Sequence, residues 1–181
     1  MNGKIPPKSQ KPFRIFDRTF FIVTSLVIAG LLLFYAVCHP VIVSGRSMYP
    51  TYEDGDLLST DPFFTSEDLA YDAVVVFYED APYNKILIKR IVGRPSDTIQ
   101  IKDGYLYRNG EKIDEGFPLM EDAGMAAQAF TLKEDEYFCL GDNRNKSMDC
   151  RICGPAALSS IRAVVKKNFS KPVRELFSSE H

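Results

Sequence analysis

The sequence predicts a mainly β domain carried behind one N-terminal membrane helix. Three observations support that. Residues 19–38 are twenty uncharged residues in a row. From residue 40 onward, short runs rich in Val, Ile, Tyr and Phe recur between turn residues. Two of those turns are Asp-Gly and Asn-Gly, the dipeptides of tight hairpins. The chain has 181 residues, 45% hydrophobic and 25% charged. That is globular composition, with room for one ordinary domain plus an appendage.

Thr19–Cys38 reads TFFIVTSLVIAGLLLFYAVC. As a helix it would span roughly 30 Å, the thickness of a bilayer core. The rival reading is a cleaved secretory signal, with a shorter apolar run and a small-x-small site such as Ala36-Val37-Cys38. A buried core helix fits less well, because the run is apolar all round. Before the span, Lys4, Lys8, Lys11, Arg14 and Arg18 stand against Asp17 alone, a net +4, while the remainder nets -6. The positive-inside tendency puts the N-terminus in the cytoplasm and the rest outside the cytoplasmic membrane. No second run of spanning length follows. The N-terminus, with IPPKSQKP, is expected to be disordered.

The exported part is read as strands. Val41–Ser44 is extended, and Ala73–Tyr78 and Lys85–Val92 are strongly apolar. Thr98–Lys102, Tyr105–Arg108 and Lys112-Ile113 make a small meander, joined by Asp103-Gly104 and Asn109-Gly110. Tyr137–Leu140 and Ile161–Val165 complete the set. Ser66–Tyr71 and Ala156–Ser160 are expected as single helical turns, and the tail after Lys171 as a loose helix or disorder.

Composition narrows the chemistry. A balance of 24 acids against 22 bases offers no nucleic-acid footprint. The two histidines are His39, beside the span, and His181, the last residue. No H-E-x-x-H zinc motif exists. A hydrolase built on this chain would take its base from elsewhere than imidazole.

Three segments carry candidate chemistry, and each has a bland reading. Ser47 sits in Ser44-Gly45-Arg46-Ser47-Met48-Tyr49-Pro50-Thr51, where a serine by itself is usually only a turn serine. Lys89 shares a strand face with Leu87 and Ile91, which would desolvate its amine and lower its pKa. A neutral lysine can take a serine's proton. A lysine snorkelling from a half-buried strand fits the same spacing, which also does not prefer Lys89 over Lys85. The polar run Gly141–Gly154 could simply be a solvated loop.

Taken together and in order, these segments resemble the bacterial type I signal peptidases, membrane-anchored Ser-Lys endopeptidases. SGRSMYPT matches the nucleophile box, and Gly55-Asp56 the short box after it. YDAVVVF and IKRIVGRPSD match the lysine-bearing box. LGDNRNKSMDCRICG matches the family's G-D-N-R-x-x-S-x-D-S-R-x-x-G. The resemblance covers the basic N-terminus and anchor, Ser44–Leu58, Asp72–Asp97 and Tyr137–Gly154.

The resemblance implies an antiparallel β domain with a barrel-like core, the fold shared with SOS autoproteases. It divides the chain into a cytoplasmic basic N-terminus (1–18), an anchor (19–38), an extracytoplasmic catalytic domain (40–170) and a tail (171–181). It makes Ser47 the nucleophile and Lys89 its general base. Ser147 matches the serine that hydrogen-bonds and orients the lysine. Asp149 and Arg151 match a bracing ion pair, with Arg90 adjoining and Asp142 in the same supporting set. Met48, Tyr49 and Pro50 fall where substrate would bind.

Implied substrates are secretory preproteins, bound as an added strand and cut after an Ala-x-Ala-like site. Membrane lipid is the other partner; no metal or organic cofactor is required. Gly45 stands where many members have a serine oxyanion donor, and Cys150 where the motif has serine. Pro95-Ser96-Asp97 replaces Pro-Gly-Asp, a change expected to affect the turn only.

Cys139, Cys150 and Cys153 are an odd exported set, so at least one stays free or pairs between molecules. Cys150 and Cys153 could form a local disulfide or stay reduced. Three rivals remain. A soluble SOS-type autoprotease conflicts with the span. A catalytically altered pilus-assembly factor would typically lack the serine or the lysine. A membrane-anchored β binding module would use the polar loops for a ligand.

Overall fold

The computed structural model describes residues 18–172. They form two units, divided between Val37 and Cys38. The first is α1 (Arg18–Cys38), a helix with no buried residue, long and apolar enough to cross a membrane. The expectations of disorder before it, and of helix or disorder beyond residue 172, fall outside the described residues.

The second unit is antiparallel β. Its strands are β1 (Pro40–Ile42), β2 (Leu57–Asp61), β3 (Val74–Glu79), β4 (Lys85–Gly93), β5 (Thr98–Lys102) and β6 (Tyr105–Arg108). They continue with β7 (Glu111–Lys112), β8 (Phe130–Thr131), β9 (Glu136–Leu140), β10 (Ala156–Ala157) and β11 (Ile161–Asn168). A short helix, α2 (Cys150–Cys153), lies between β9 and β10.

The larger sheet runs β1-β2-β11-β3-β4-β9-β10, the smaller β7-β6-β5-β8. The expected barrel-like core is therefore corrected: neither sheet closes. Closure needs a ladder between end strands. Here the end strands, β1 and β10 in the larger sheet and β7 and β8 in the smaller, are not paired with each other. The core fills with Val75, Phe77, Leu87, Ile91, Ile99 and Phe138.

β4 positions the site. It lies between β3 and β9, paired with β3 over residues 85–90 and with β9 from Arg90 onward. Leu87, Lys89 and Ile91 are all buried on one face, as period two requires. At its end Gly93 allows a close approach: a β-carbon there would sit 2.7 Å from Ile99 Cδ1 and 2.9 Å from Leu132 Cδ1.

Local chemistry explains most turns. Asp103 and Gly104 take φ 52° and 78°, Asn109 and Gly110 56° and 83°. Both positions of each pair are left-handed, which is what a two-residue hairpin of the right twist needs. Several elements differ from expectation. β2 and β8 were not anticipated: LLSTD lacks a β-branched run, and β8 has two residues. Residues 156–160 split into β10 and a 3₁₀ turn, because Ala156 pairs with Tyr137. α2 begins where Asp149 caps it, its side chain accepting from Arg151 N–H.

Ser96 occupies the third position of a turn closed by Asp97 N–H donating to Arg94 C=O at 3.0 Å. Its φ is +70°, a conformation that costs a non-glycine residue roughly 1–2 kcal/mol. Ser96→Gly relieves that cost and gives back about half of it in unfolded-chain entropy. It should raise unfolding free energy by about 0.5–1 kcal/mol, read as a higher urea midpoint. A lower midpoint would contradict this account of the turn.

Candidate active site

Ser47 sits in the loop between β1 and β2. Val43 N–H donates to Asp56 C=O at 2.8 Å and Gly55 N–H to Val43 C=O at 2.9 Å, closing the loop's base. Gly45 takes φ +88°, and its N–H donates to Asp54 Oδ1 at 2.7 Å. Met48 is 1% exposed and anchors the loop. Ser47 beside it is half-buried, while Tyr49 and Pro50 face solvent.

Lys89 meets Ser47 from β4. Its Nζ lies 2.7 Å from Ser47 Oγ and donates to Ile88 C=O at 2.9 Å. The lysine is 1% exposed. Burial pushes its pKa below the ordinary lysine value, against the weaker opposing pull of Asp149 and three nearby thiols. Lys85, the other candidate, is exposed at the outer end of β4, opposite Glu79.

The loop after β9 encloses the pair. Asn143 N–H donates to Ser47 C=O at 3.0 Å, and its Nδ2 to Arg46 C=O at 3.0 Å. Asp149 is wholly buried and takes both edges of Arg151, Nε and Nη2 each at 2.9 Å. Its Oδ2 also accepts Gly141 N–H at 3.1 Å. Asp142 is buried too. It pairs with Arg90 through Nε at 2.8 Å and Nη2 at 2.6 Å, and accepts the Thr51 hydroxyl. Arg90 thus belongs to Asp142, while Asp149 and Arg151 form their own pair.

Ser147 differs from the resemblance. Its Oγ is buried with no hydrogen-bond partner, so the bond to Lys89 is not made here. Ser147 packs against Gly141. A β-carbon on Gly141 would lie 2.1 Å from Ser147 Oγ and 2.6 Å from Ser47 C=O.

Sequence reasoning passed over five contributors, Asn143 among them. Arg144, 2% exposed, donates from Nε to Gly141 C=O at 3.0 Å and pairs with Glu115. Thr51 and Gly141 were quoted in motifs without a role. Glu115 lies outside every matched segment, and nothing local marks it. The cysteines are all free thiols. Cys139 is held well above the usual thiol range by its neighbour Cys150 and by burial, and burial pushes Cys153 up to about 11. Those two thiols stay protonated near neutral pH and are poor nucleophiles.

A hydroxyl set against a desolvated amine is the arrangement of a nucleophilic hydrolase. A family model described as signal peptidase, peptidase S26, matches residues 15–169. Signal peptidase I of Bacillus licheniformis is 33% identical over 156 residues, covering 79% of this chain and 81% of its own. Signal peptidase I V of Bacillus subtilis strain 168 is 34% identical over 137 residues, covering 68% and 80%. A solved signal peptidase I from Enterococcus faecalis V583 is 27% identical with a TM-score of 0.47, covering 54% of this chain and 96% of that one. The chain belongs to the signal peptidase family, peptidase S26.

Gly141→Ala should lower peptidase turnover by about 100-fold, because its β-carbon displaces the Ser47 backbone by a sizeable fraction of an ångström. The check is kcat of the folded variant beside wild type. Near-normal turnover would mean that this close approach does not hold Ser47.

Proposed function

We propose that the protein is a serine endopeptidase that removes N-terminal signal peptides from exported preproteins, cutting after a small-x-small site. Ser47 is the nucleophile and Lys89 its general base. The observation that carries the reading is the 2.7 Å contact between Ser47 Oγ and a lysine amine that is almost wholly buried. A binding module has no use for that pairing, because burying an amine costs stability unless it stays neutral.

Neutral Lys89 accepts the Ser47 proton as Oγ attacks the scissile carbonyl carbon. The Ser47 N–H helps hold the resulting oxyanion. Lys89, now charged, gives its proton to the leaving amine, which departs as the N-terminus of the mature protein. An ester on Ser47 remains. Water then loses a proton to Lys89 and attacks the ester, and Ser47 leaves and regains its proton. Once Ser47 is acylated the amine loses that partner. Ser147, buried and unpaired, is the hydroxyl assigned to orient it.

Substrate adds as an extended strand. Tyr49 and Pro50 offer the exposed surface beside Ser47, and Met48 underlies it. Asp142, Arg90, Asp149 and Arg151 brace the loop. No metal or organic cofactor has a step in this scheme. The anchor, with its basic flank inside, places the catalytic domain outside the cytoplasmic membrane, beside signal peptides in the same bilayer. Residues 40–170 are the catalytic domain in this reading, with 1–18 cytoplasmic, 19–38 spanning and 171–181 a tail.

Ser47→Ala and Lys89→Ala should each abolish preprotein cleavage and leave the fold intact, since the two act as one unit. Lys85→Ala should be close to wild type. More than a few per cent of wild-type turnover in either dyad variant would overturn the assignment.

The pH dependence follows from the sign of the Lys89 shift. The protonated amine is inactive and the neutral amine active. A lowered pKa brings the active form in at lower pH than a free lysine, whose value is about 10.4. Activity should therefore rise with pH through an apparent pKa below 10.4. A profile lost in His39→Ala would assign the base to imidazole instead.

A further inference from the structure

The smaller sheet carries an arm that the dyad alone does not explain. Residues 113–120 leave β7 and return beside the β5–β6 turn. Ile113 N–H donates to Leu106 C=O at 2.8 Å and Met120 N–H to Gly104 C=O at 3.0 Å, so both ends are fastened to that sheet. The chain turns at Gly116, φ +67°. On either side of this glycine, Glu115 and Phe117 reach the loop that follows β9.

Glu115 accepts both terminal nitrogens of Arg144, with Nη2 at 2.9 Å, and its side chain is 8% exposed. Phe117 faces two guanidiniums: its ring centroid is 4.6 Å from Arg144 Cζ and 5.5 Å from Arg90 Cζ. These arginines grip consecutive residues. Arg144 holds the Gly141 carbonyl at 3.0 Å, and Arg90 holds both carboxylate oxygens of Asp142. The next residue, Asn143, holds the Ser47 carbonyl at 3.0 Å. Contacts thus run unbroken from the arm to the backbone of Ser47.

We infer that Glu115 and Phe117 are positioning residues: through Arg144, Arg90 and the 141–143 backbone, the arm sets where Ser47 stands against Lys89. A carboxylate fork fixes a guanidinium within its plane. An aromatic face restrains it from the side and leaves its N–H edges free for other bonds. The two contacts together leave Arg144 no low-cost movement, and Gly141 moves with Arg144. The inference rests on the Ser47–Lys89 reading and supplies a role for the smaller sheet within it.

The test uses the full-length protein in detergent micelles with a preprotein substrate, reading kcat and KM separately. The variants are Phe117→Leu, Phe117→Tyr and Glu115→Gln. Phe130→Leu serves as a reference, because Phe130 is partly buried against the core and packs on Phe138. Phe117→Leu and Glu115→Gln should lower kcat about tenfold with KM within about twofold, the signature of misplaced reacting groups. Phe117→Tyr keeps the aromatic face and should restore kcat. Phe130→Leu should lose thermal stability and keep kcat.

Unchanged kcat in Phe117→Leu would overturn the inference. So would a rise in KM alone, which would make Phe117 a substrate contact. Failure of Phe117→Tyr to rescue, or an equal kcat loss in Phe130→Leu, would reduce the arm to general stability. If Phe117→Leu does not fold, Glu115→Gln decides by the same kcat criterion. If Ser47→Ala cleaves substrate, the dyad reading itself has failed. If Ser47→Ala is inactive while Phe117→Leu turns over normally, only the arm has failed.

Discussion

Lys89 Nζ is buried on an interior strand, where two oxygens meet it: Ser47 Oγ and the Ile88 carbonyl. A charged ammonium in that place would lose its hydration and gain little in return. The amine is therefore biased toward its neutral form, the form that can take a proton from Ser47. Asp149 pulls the other way, as the largest influence raising the lysine pKa. Arg151 occupies both Asp149 oxygens and counters that charge. The buried Asp149–Arg151 pair does more than brace a loop, because the guanidinium offsets part of the field by which the carboxylate favours the charged lysine.

The rest of the site holds a hydroxyl against that amine. β4 pairs with β3 at Lys89 and with β9 from Arg90 onward, so Lys89 is carried on a rigid element. Ser47 sits on a loop, and loops need support. That support comes from residues 141–149, gripped at Gly141 by Arg144 and Asp149, at Asp142 by Arg90, and at Asn143 by Ser47 itself. Three ion pairs in so small a volume are costly to desolvate, and each closes with two-point geometry that fixes direction as well as charge. Such pairs are weak sources of stability. Their value here is in placement.

What could be read from the sequence was local. The span shows as an uncharged run, the face of Lys89 as alternation with Leu87 and Ile91, and the hairpins as Asp-Gly and Asn-Gly. Each depends on neighbours within a few residues. The misses depend on distant partners. Closure of a barrel depends on strand order and on whether the end strands pair, which no local pattern encodes. Glu115 pairs with Arg144 across 29 residues, and no motif contains it. Asp142 looked like one more member of a polar loop, yet its partners are Thr51 and Arg90, 91 and 52 residues away. Ser147 was legible as a site residue through the resemblance. Its missing bond to Lys89 was not, because no local pattern fixes where the Ser147 hydroxyl lies relative to that amine.

The central claim is that burial holds the Lys89 amine neutral at a pH where an exposed lysine is charged. It can be read without any turnover, from the pH titration of lysine 13Cε and 1Hε shifts in the full-length protein. Lys85, exposed on the same strand, is the internal reference, and Lys89→Met assigns the signal. The account expects Lys89 to titrate at lower pH than Lys85. A Lys89 that titrates with Lys85 or above it would contradict the claim, since the amine would then be a charged partner of Ser47 and no base at all.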